Sequence, residues 1–134
     1  MSYKLFLTGL ALTFLSSFST AVLAIAAQPH APAGKEFKGN VSWYGEQFHG
    51  KKTASGEIFD MHKLTAAHLH LTFNTKVMVE DPKTGKSVVV KVNDRGPFHC
   101  KRVMDLSKQA ATNLGTISRG VAYVECTVLD QGDK

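Results

Sequence analysis

Apolar and polar residues alternate along the second half of the chain, and this pattern predicts a series of short β-strands. Residues 76–80 alternate in this way, residues 81–85 are rich in turn formers, and residues 86–93 are rich in β-branched valine. Two such runs on either side of a turn are typical of a β-hairpin. Three further runs predict strands at residues 40–44, 102–106 and 121–129.

One short helix is predicted between the last two of these strands. Ser107 is a good N-cap residue, Ala110, Ala111 and Leu114 recur with helical spacing, and Gly115 stands where a helix would stop. Long helices do not alternate with the strands, so a parallel βαβ sheet is not indicated. The pattern favours a compact, mainly β barrel.

The start of the chain has a different pattern, which is typical of an export signal. Lys4 supplies one positive charge, residues 5–18 are almost wholly apolar, and small residues lead to Ala24. The apolar run of about 14 residues is shorter than the roughly 20 that span a bilayer. We therefore predict a signal peptide at residues 1–24, a flexible leader at 25–38 and one folded domain at 39–130.

This organisation carries an expectation about location. The region of the predicted cleavage site has no cysteine, so lipid attachment there is chemically excluded. We expect an exported protein of the periplasm or cell envelope, with no stable membrane insertion after the signal is removed.

The net charge of the chain and the distribution of its basic residues limit the classes of binding partner that we expect. The full chain carries 16 Lys and Arg against 11 Asp and Glu, and loss of Lys4 with the signal removes one of the basic residues. A mild positive balance suits a polyanionic neighbour such as a cell-wall polymer. Because the basic residues are scattered and the chain carries an export signal, we predict no nucleic-acid partner, and we expect a monomer.

Cysteines and histidines are the usual metal and redox candidates. Cys100 and Cys126 are the two cysteines, and in an oxidising compartment an even pair usually forms a disulfide. Two buried free thiols are the alternative. The histidines lack the helical spacing of a zinc site, so neither a metal nor another cofactor is predicted.

Chemically active residue types concentrate in the segments that connect the predicted strands. Each segment alone is compatible with a catalytic site or with a structural turn. The segments comprise six ordered blocks: Trp43-Tyr44-Gly45, Phe48-His49-Gly50, Thr53-Ala54-Ser55-Gly56-Glu57, Thr65-Ala66-Ala67-His68, Asn93-Asp94-Arg95-Gly96-Pro97-Phe98 and Asp105-Leu106-Ser107.

Taken together over about residues 39–129, these blocks resemble the rare lipoprotein A (RlpA) family. The resemblance implies a six-stranded double-psi β-barrel with one or two short helices. It also implies an endolytic peptidoglycan lytic transglycosylase that cleaves the MurNAc–GlcNAc β-1,4 bond, prefers glycan strands lacking stem peptides and leaves 1,6-anhydro-MurNAc ends. Such a lyase needs no metal, because the 6-hydroxyl of the sugar is the attacking group.

The resemblance also implies roles for individual residues. It makes Asp94 the catalytic acid/base, Glu57 the second carboxylate or a stabiliser of the oxocarbenium ion, and His68 a hydrogen-bonding organiser. Two carboxyl groups are what glycoside cleavage generally requires. Asp105 is the alternative acid, and its other interpretation is a structural cap near Ser107.

Five residues are assigned to substrate binding. Trp43, Tyr44 and Phe48 are aromatic and suit a sugar-stacking platform, although aromatic residues at a strand end also close a barrel core. Asn93 and Arg95 flank Asp94 and complete the set.

Two other classes of function stay open at this stage. A non-catalytic, expansin-like glycan-binding module would use the same groove without cleaving a bond, and it would not require two carboxylates. A secreted inhibitor or signalling domain on the same barrel would predict a degraded acid pair.

Overall fold

The computed structural model describes residues 34–99 and 101–132, which form a closed barrel of six strands. The strands are β1 (Glu36–Tyr44), β2 (Thr65–Ala67), β3 (Lys76–Glu80), β4 (Ser87–Asp94), β5 (Arg102–Ser107) and β6 (Ala122–Asp130). One helix, α1 (Lys108–Leu114), and two 3₁₀ turns, Glu46–Phe48 and Ile117–Arg119, complete the described elements. The predicted mainly β, six-stranded barrel with short helices is confirmed.

The strand order around the barrel is β1-β5-β2-β4-β3-β6, and β6 closes the wall by pairing with β1. Two pairs are parallel, β1 with β5 and β2 with β4. The other pairs are antiparallel. The barrel is therefore built from crossing connections rather than from a simple up-and-down meander.

Alternation along the strands fills the barrel with valine. Residues Val77, Val79, Val90, Val92 and Val124 are at most 1% exposed, while their sequence neighbours on the strands are more exposed. Burial of such side chains stabilises a domain by roughly 1.5–3 kcal/mol each.

Helix α1 packs against β1, β4 and β5, with the predicted caps at both ends. The Ser107 hydroxyl accepts a hydrogen bond from the Ala110 N–H at 3.2 Å, and Gly115 ends the helix in the left-handed conformation at φ 78°. Ser107 also donates to the Lys63 carbonyl at 2.6 Å, which fixes the helix start to the segment before β2.

Two features of the barrel were not expected from the pattern. Strand β2 has three residues, all buried, and is too short to show a period. Strand β1 begins at Glu36 and pairs with β6 over its first half, so the barrel includes residues that we assigned to the leader. The predicted signal peptide lies outside the described residues.

Cys126 lies in the barrel core, 1% exposed and without a disulfide partner among the described residues, and burial raises the pKa of its thiol to about 12. Cys100 lies outside the described residues, so the predicted disulfide stays a prediction. Among the described helices, none has the length and apolar character to cross a membrane.

Candidate active site

A groove lies where four adjacent strands end or pass close to one another. The register places Ser42 of β1 opposite Asp105 of β5, Asp105 opposite Ala67 of β2, and Ala67 opposite Asp94 of β4. Because neighbouring strands lie about 4.8 Å apart, Asp94 and Asp105 flank the small Ala67 at a Cα separation of about 10 Å. Two carboxylates therefore face one groove of about 530 Å³.

Asp94 is held by its surroundings in one orientation. Its Oδ1 accepts hydrogen bonds from the Ala54 N–H at 3.0 Å and the Arg95 N–H at 2.8 Å. Its Oδ2 has no hydrogen-bond partner among the described residues. One carboxylate oxygen is thus positioned by two amides, and the other is left for a substrate in the groove.

The Arg95 guanidinium does not neutralise its neighbour Asp94. It lies over the Phe73 ring, 3.9 Å from the ring centroid, and its Nη1 donates to the His68 carbonyl at 3.0 Å. Arg95 lines the groove, but its charge is directed to these two partners.

Asp105 is the second carboxylate in the groove. It accepts a hydrogen bond from the Ser42 hydroxyl at 2.7 Å and forms a salt bridge with Arg102 at 3.1 Å. Ser107, and not Asp105, caps helix α1. Asp105 is therefore a groove residue, and its alternative interpretation as a helix cap is wrong.

Tyr44 contributes a buried hydroxyl at the groove, while its ring packs on aromatic neighbours. The Tyr44 ring stacks on Phe59 with centroids 4.5 Å apart and contacts Phe48 edge-on at 5.8 Å. Burial first, and then Asp94 and Asp105, raise the pKa of Tyr44 well above its usual value, so the hydroxyl stays protonated. This hydroxyl is buried and has no hydrogen-bond partner among the described residues.

The other predicted aromatic residues also line the groove. Trp43 is half-buried against the barrel core, whereas Phe48 is 44% exposed. Phe98, which the sequence did not single out for substrate binding, is 83% exposed at the same groove. Two exposed aromatic rings, Phe48 and Phe98, are thus available to a ligand.

Glu57 and Asn93 form a separate polar cluster outside the groove lining. Glu57 receives hydrogen bonds from Lys91 at 2.9 Å and from the Asn93 amide at 3.2 Å. The Lys91 hydrogen bond, followed by that of Asn93, holds the pKa of Glu57 below its usual value. Asn93 is only 2% exposed, so its side chain supports Glu57 rather than reaching a ligand.

His68 likewise lies beside the groove rather than in its lining. Its Nδ1 accepts hydrogen bonds from the His70 and Leu71 N–H groups, both at 3.0 Å, and its ring packs edge-on against Phe37 at 5.2 Å. Burial lowers its pKa to about 4, with smaller contributions from His70 and Arg95. The neutral ring orders the turn after β2.

The residues that sequence reasoning undervalued are Ser42, Arg102 and Asp105. These three residues are recognised as part of the site only from the pairing register of β1, β5 and β2. That register cannot be read from the sequence. Another group absent from the sequence prediction is His49, Asp60 and His62, whose potential metal-ligating atoms converge.

Comparison with known proteins fits this geometry. The lytic transglycolase family matches residues 36–126. The endolytic peptidoglycan transglycosylase RlpA of Neisseria meningitidis serogroup A is 42% identical over 132 residues, covering 83% of this chain and 55% of the relative. The chain thus spans about half the length of that curated relative.

Solved structures agree on the fold. The Streptomyces papain inhibitor superposes with a TM-score of 0.61 at 22% identity, over 74% of this chain and 98% of the inhibitor. An expansin from Clavibacter michiganensis gives 0.59 at 17% identity, over 75% of this chain and 53% of the expansin. At these identities, the likeness concerns the fold alone.

The chain is thus a double-psi β-barrel protein. It belongs to the lytic transglycolase family and is similar to RlpA proteins, which confirms the resemblance drawn from the six sequence blocks.

Proposed function

We propose that this chain is an endolytic peptidoglycan lytic transglycosylase. It cleaves the β-1,4 bond between MurNAc and GlcNAc, prefers glycan strands that lack stem peptides and leaves 1,6-anhydro-MurNAc ends. The observation that carries the proposal is the pair Asp94 and Asp105 on either side of Ala67 in an aromatic-lined groove. The family match and the named activity of the Neisseria relative support it.

The reaction requires one proton donor and one proton acceptor, and no water. A carboxylic acid protonates the glycosidic oxygen, and the bond from that oxygen to C1 of MurNAc breaks. The 6-hydroxyl oxygen of the same MurNAc then bonds to C1, and its proton passes to a carboxylate. We assign the proton-transferring role to Asp94, whose Oδ2 is without a partner among the described groove residues.

Two residues compete for the role of second carboxylate. Glu57 is the choice that the resemblance implies, and its ionised form suits stabilisation of a cationic sugar. Asp105 lies in the groove itself, oriented by Ser42 and Arg102. Glu57 reaches the site indirectly, because the 53–57 segment that carries it supplies the Ala54 N–H to Asp94. His68 acts as an organiser of the adjoining turn.

The substrate is the glycan strand of peptidoglycan, and the protein works as an exported monomer in the periplasm or envelope, without a nucleic-acid partner. Asn93 supports Glu57 through a hydrogen bond, while Trp43, Phe48 and Arg95 line the groove that would receive the sugars.

The test is turnover of purified glycan strands stripped of stem peptides, with anhydro-sugar ends measured by mass spectrometry. We expect Asp94→Asn to lower turnover at least about 100-fold while retaining strand binding, which is the low end for loss of general acid–base help. Glu57→Gln and Asp105→Asn are made in parallel, and all variants are compared at equal folded fraction by circular dichroism.

The pair of second-carboxylate variants gives a ranking. A larger loss in Glu57→Gln supports the residue that the resemblance implies, and a larger loss in Asp105→Asn supports the residue in the groove. Normal release of anhydro ends by Asp94→Asn contradicts our assignment of the acid/base.

A glycan-binding module is the second candidate, favoured by the exposed rings of Phe48 and Phe98 in the groove. It predicts that the wild-type protein binds strands but releases no anhydro ends, and that Phe48→Ala and Phe98→Ala weaken binding. The same mass measurement separates the two candidates.

A further inference from the structure

A small hairpin at residues 50–59 lies between β1 and β2. Its arms are held by a bridge between Lys52 and Ile58 and by hydrogen bonds from the Gly50 N–H to the Phe59 carbonyl at 2.9 Å and from the Phe59 N–H to the Lys51 carbonyl at 2.8 Å. Its tip contacts the site, because the Ala54 N–H binds Asp94. The position of the hairpin therefore affects the Asp94 carboxylate.

Three side chains with metal-ligating atoms meet at the base of this hairpin. His49 precedes the first arm, and Asp60 and His62 follow the second. Their ligand atoms all lie within 4.8 Å of one another, and His49 Nδ1 is 3.9 Å from Asp60 Oδ1. Ligands in a tetrahedral zinc site are about 3.3–3.6 Å apart, given bond lengths of about 2.0–2.2 Å. Small side-chain rotations thus suffice to close the group around an ion.

We propose that His49, Asp60 and His62 form a binding site for a divalent transition-metal ion of the zinc type. Two imidazoles and one carboxylate are a donor set that suits zinc, and three protein ligands leave one position for water. The site is separate from the groove carboxylates and requires neither Asp94 nor Asp105.

The hydrogen bonds at these atoms are compatible with an ion. Asp60 Oδ1 accepts the His62 N–H at 2.9 Å, and a carboxylate oxygen keeps a further lone pair. His49 Nδ1 accepts the Met61 N–H at a longer 3.2 Å. If His49 binds through this atom, the ion replaces one long hydrogen bond, and water can satisfy the exposed amide.

An ion bound to these three side chains would cross-link the two ends of the hairpin. It would join the residue before the hairpin to the residues after it, and so fix the base from which the tip reaches Asp94. Metal binding is therefore expected to stabilise the hairpin whether or not the protein cleaves glycan.

The test is direct binding of metal to the purified, tag-free protein after treatment with a chelator. We expect Zn²⁺ titrated in a calorimeter to bind at about one ion per chain, and Co²⁺ to give the visible absorption of a low-coordinate site. His62→Gln and Asp60→Asn should each weaken binding at least about tenfold, since even outer-shell changes cost 10–100-fold in affinity. His70→Gln, which changes an exposed histidine outside the cluster, should leave binding unchanged.

Defined results of these binding measurements would contradict the proposed metal site. Absence of saturable Zn²⁺ binding, wild-type affinity in both His62→Gln and Asp60→Asn, or loss of binding in His70→Gln overturns the proposal. Circular dichroism of the metal-free variants checks that they are folded, and Asp60→Asn keeps the Oδ1 acceptor for the His62 N–H in case another change unfolds the turn. Turnover of glycan is not used as the readout, so the outcome is independent of the proposed function.

Discussion

At the scale of single residues, Tyr44 has the most unusual environment in the groove. One face of its ring is covered by Phe59, so sugar stacking on that face is excluded. Its buried hydroxyl has no hydrogen-bond partner among the described residues and stays protonated beside two aspartates. We interpret the hydroxyl as a hydrogen-bond donor to a groove carboxylate.

Tyr44→Phe tests this interpretation because it removes the oxygen and keeps the ring. We expect turnover to fall about tenfold or more, because a groove carboxylate loses a hydrogen-bond donor that orients it. The free energy of unfolding should stay within about 1 kcal/mol of wild type, since no hydrogen bond within the described structure is lost. A large loss of stability in urea denaturation with unchanged turnover per folded molecule would contradict it.

His68 predicts a specific pH dependence of stability. Its folded-state pKa of about 4 lies below the ordinary value of 6.5. The stabilising contribution of the neutral ring is therefore complete above pH 6.5 and is lost as the pH falls towards 4. Because the ring is partly exposed, we discount the full shift for solvent screening and expect a loss of about 1–2 kcal/mol.

The comparison variant is His68→Asn, whose side-chain oxygen can accept the same two N–H bonds without titrating. Urea denaturation between pH 7 and pH 4 should show a smaller loss of stability in the variant than in wild type. Equal slopes would mean that His68 is not the group responsible. Carboxylates that titrate in this range cancel in the difference between the two proteins.

At the scale of elements, Ser107 connects a helix to a strand. It is fully buried, accepts the Ala110 N–H and donates to the Lys63 carbonyl. Ser107→Ala should destabilise the protein by about 2 kcal/mol, because it removes an N-cap and leaves a buried carbonyl without its donor. Thr112→Ala is the matched control in the same helix, since that side chain is exposed and bonds only within the helix. Equal effects of both changes on thermal unfolding would rule out the connecting role.

An ion pair between a buried aspartate and a partly exposed arginine has a similar role at the β3–β4 turn. Asp81 is 0% exposed and pairs with Arg119 of the 3₁₀ turn that precedes β6. Arg119→Met should cost about 2 kcal/mol, because it leaves a buried carboxylate without its charged partner, while the Lys83 N–H still donates to it. Lys83→Ala, at an exposed position of the same turn, should change the unfolding midpoint little. Retention of full stability by Arg119→Met would show that the pair contributes nothing net.

Sequence reasoning succeeded where the signal was local. The β3–β4 hairpin, the β5 strand and the capped helix α1 follow from alternation, turn residues and Ser107. It missed β2, whose three residues are too few to show a period and are buried by parallel pairing with β4.

The candidate site also contains residues with a local sequence signal and residues that only the fold brings together. Asp94, Trp43, Tyr44 and Phe48 were found because they stand in recognisable blocks. The inclusion of Asp105 in the groove depends on the register between β5 and its neighbours, and a register between strands distant in sequence has no local signal. For the same reason the convergence of His49 with Asp60 and His62 required the folded hairpin.

At the scale of the whole molecule, barrel closure makes the groove and the core one structural unit. Strand β6 pairs with both β1 and β3, while β1 also forms a wall of the groove through Trp43 and Tyr44. A destabilising substitution in β6 should therefore disrupt the groove by unfolding the whole barrel. It should not change the groove locally while the barrel stays folded. Trp43 is the single tryptophan of the chain, and its fluorescence reports on the wall of the groove where that wall packs against the core.

Val124→Ala tests this unity because Val124 is a fully buried residue of β6. Loss of two methyl groups from the core should cost about 2 kcal/mol. If the domain unfolds in one cooperative step, the urea midpoint measured by Trp43 fluorescence should fall as far as the midpoint measured by far-ultraviolet circular dichroism. Val89→Ala, which shortens a valine that is 42% exposed on β4, should shift neither by more than about 0.5 kcal/mol. Separate fluorescence and dichroism transitions in Val124→Ala would contradict the argument, because the groove would then unfold independently of the barrel that positions its carboxylates.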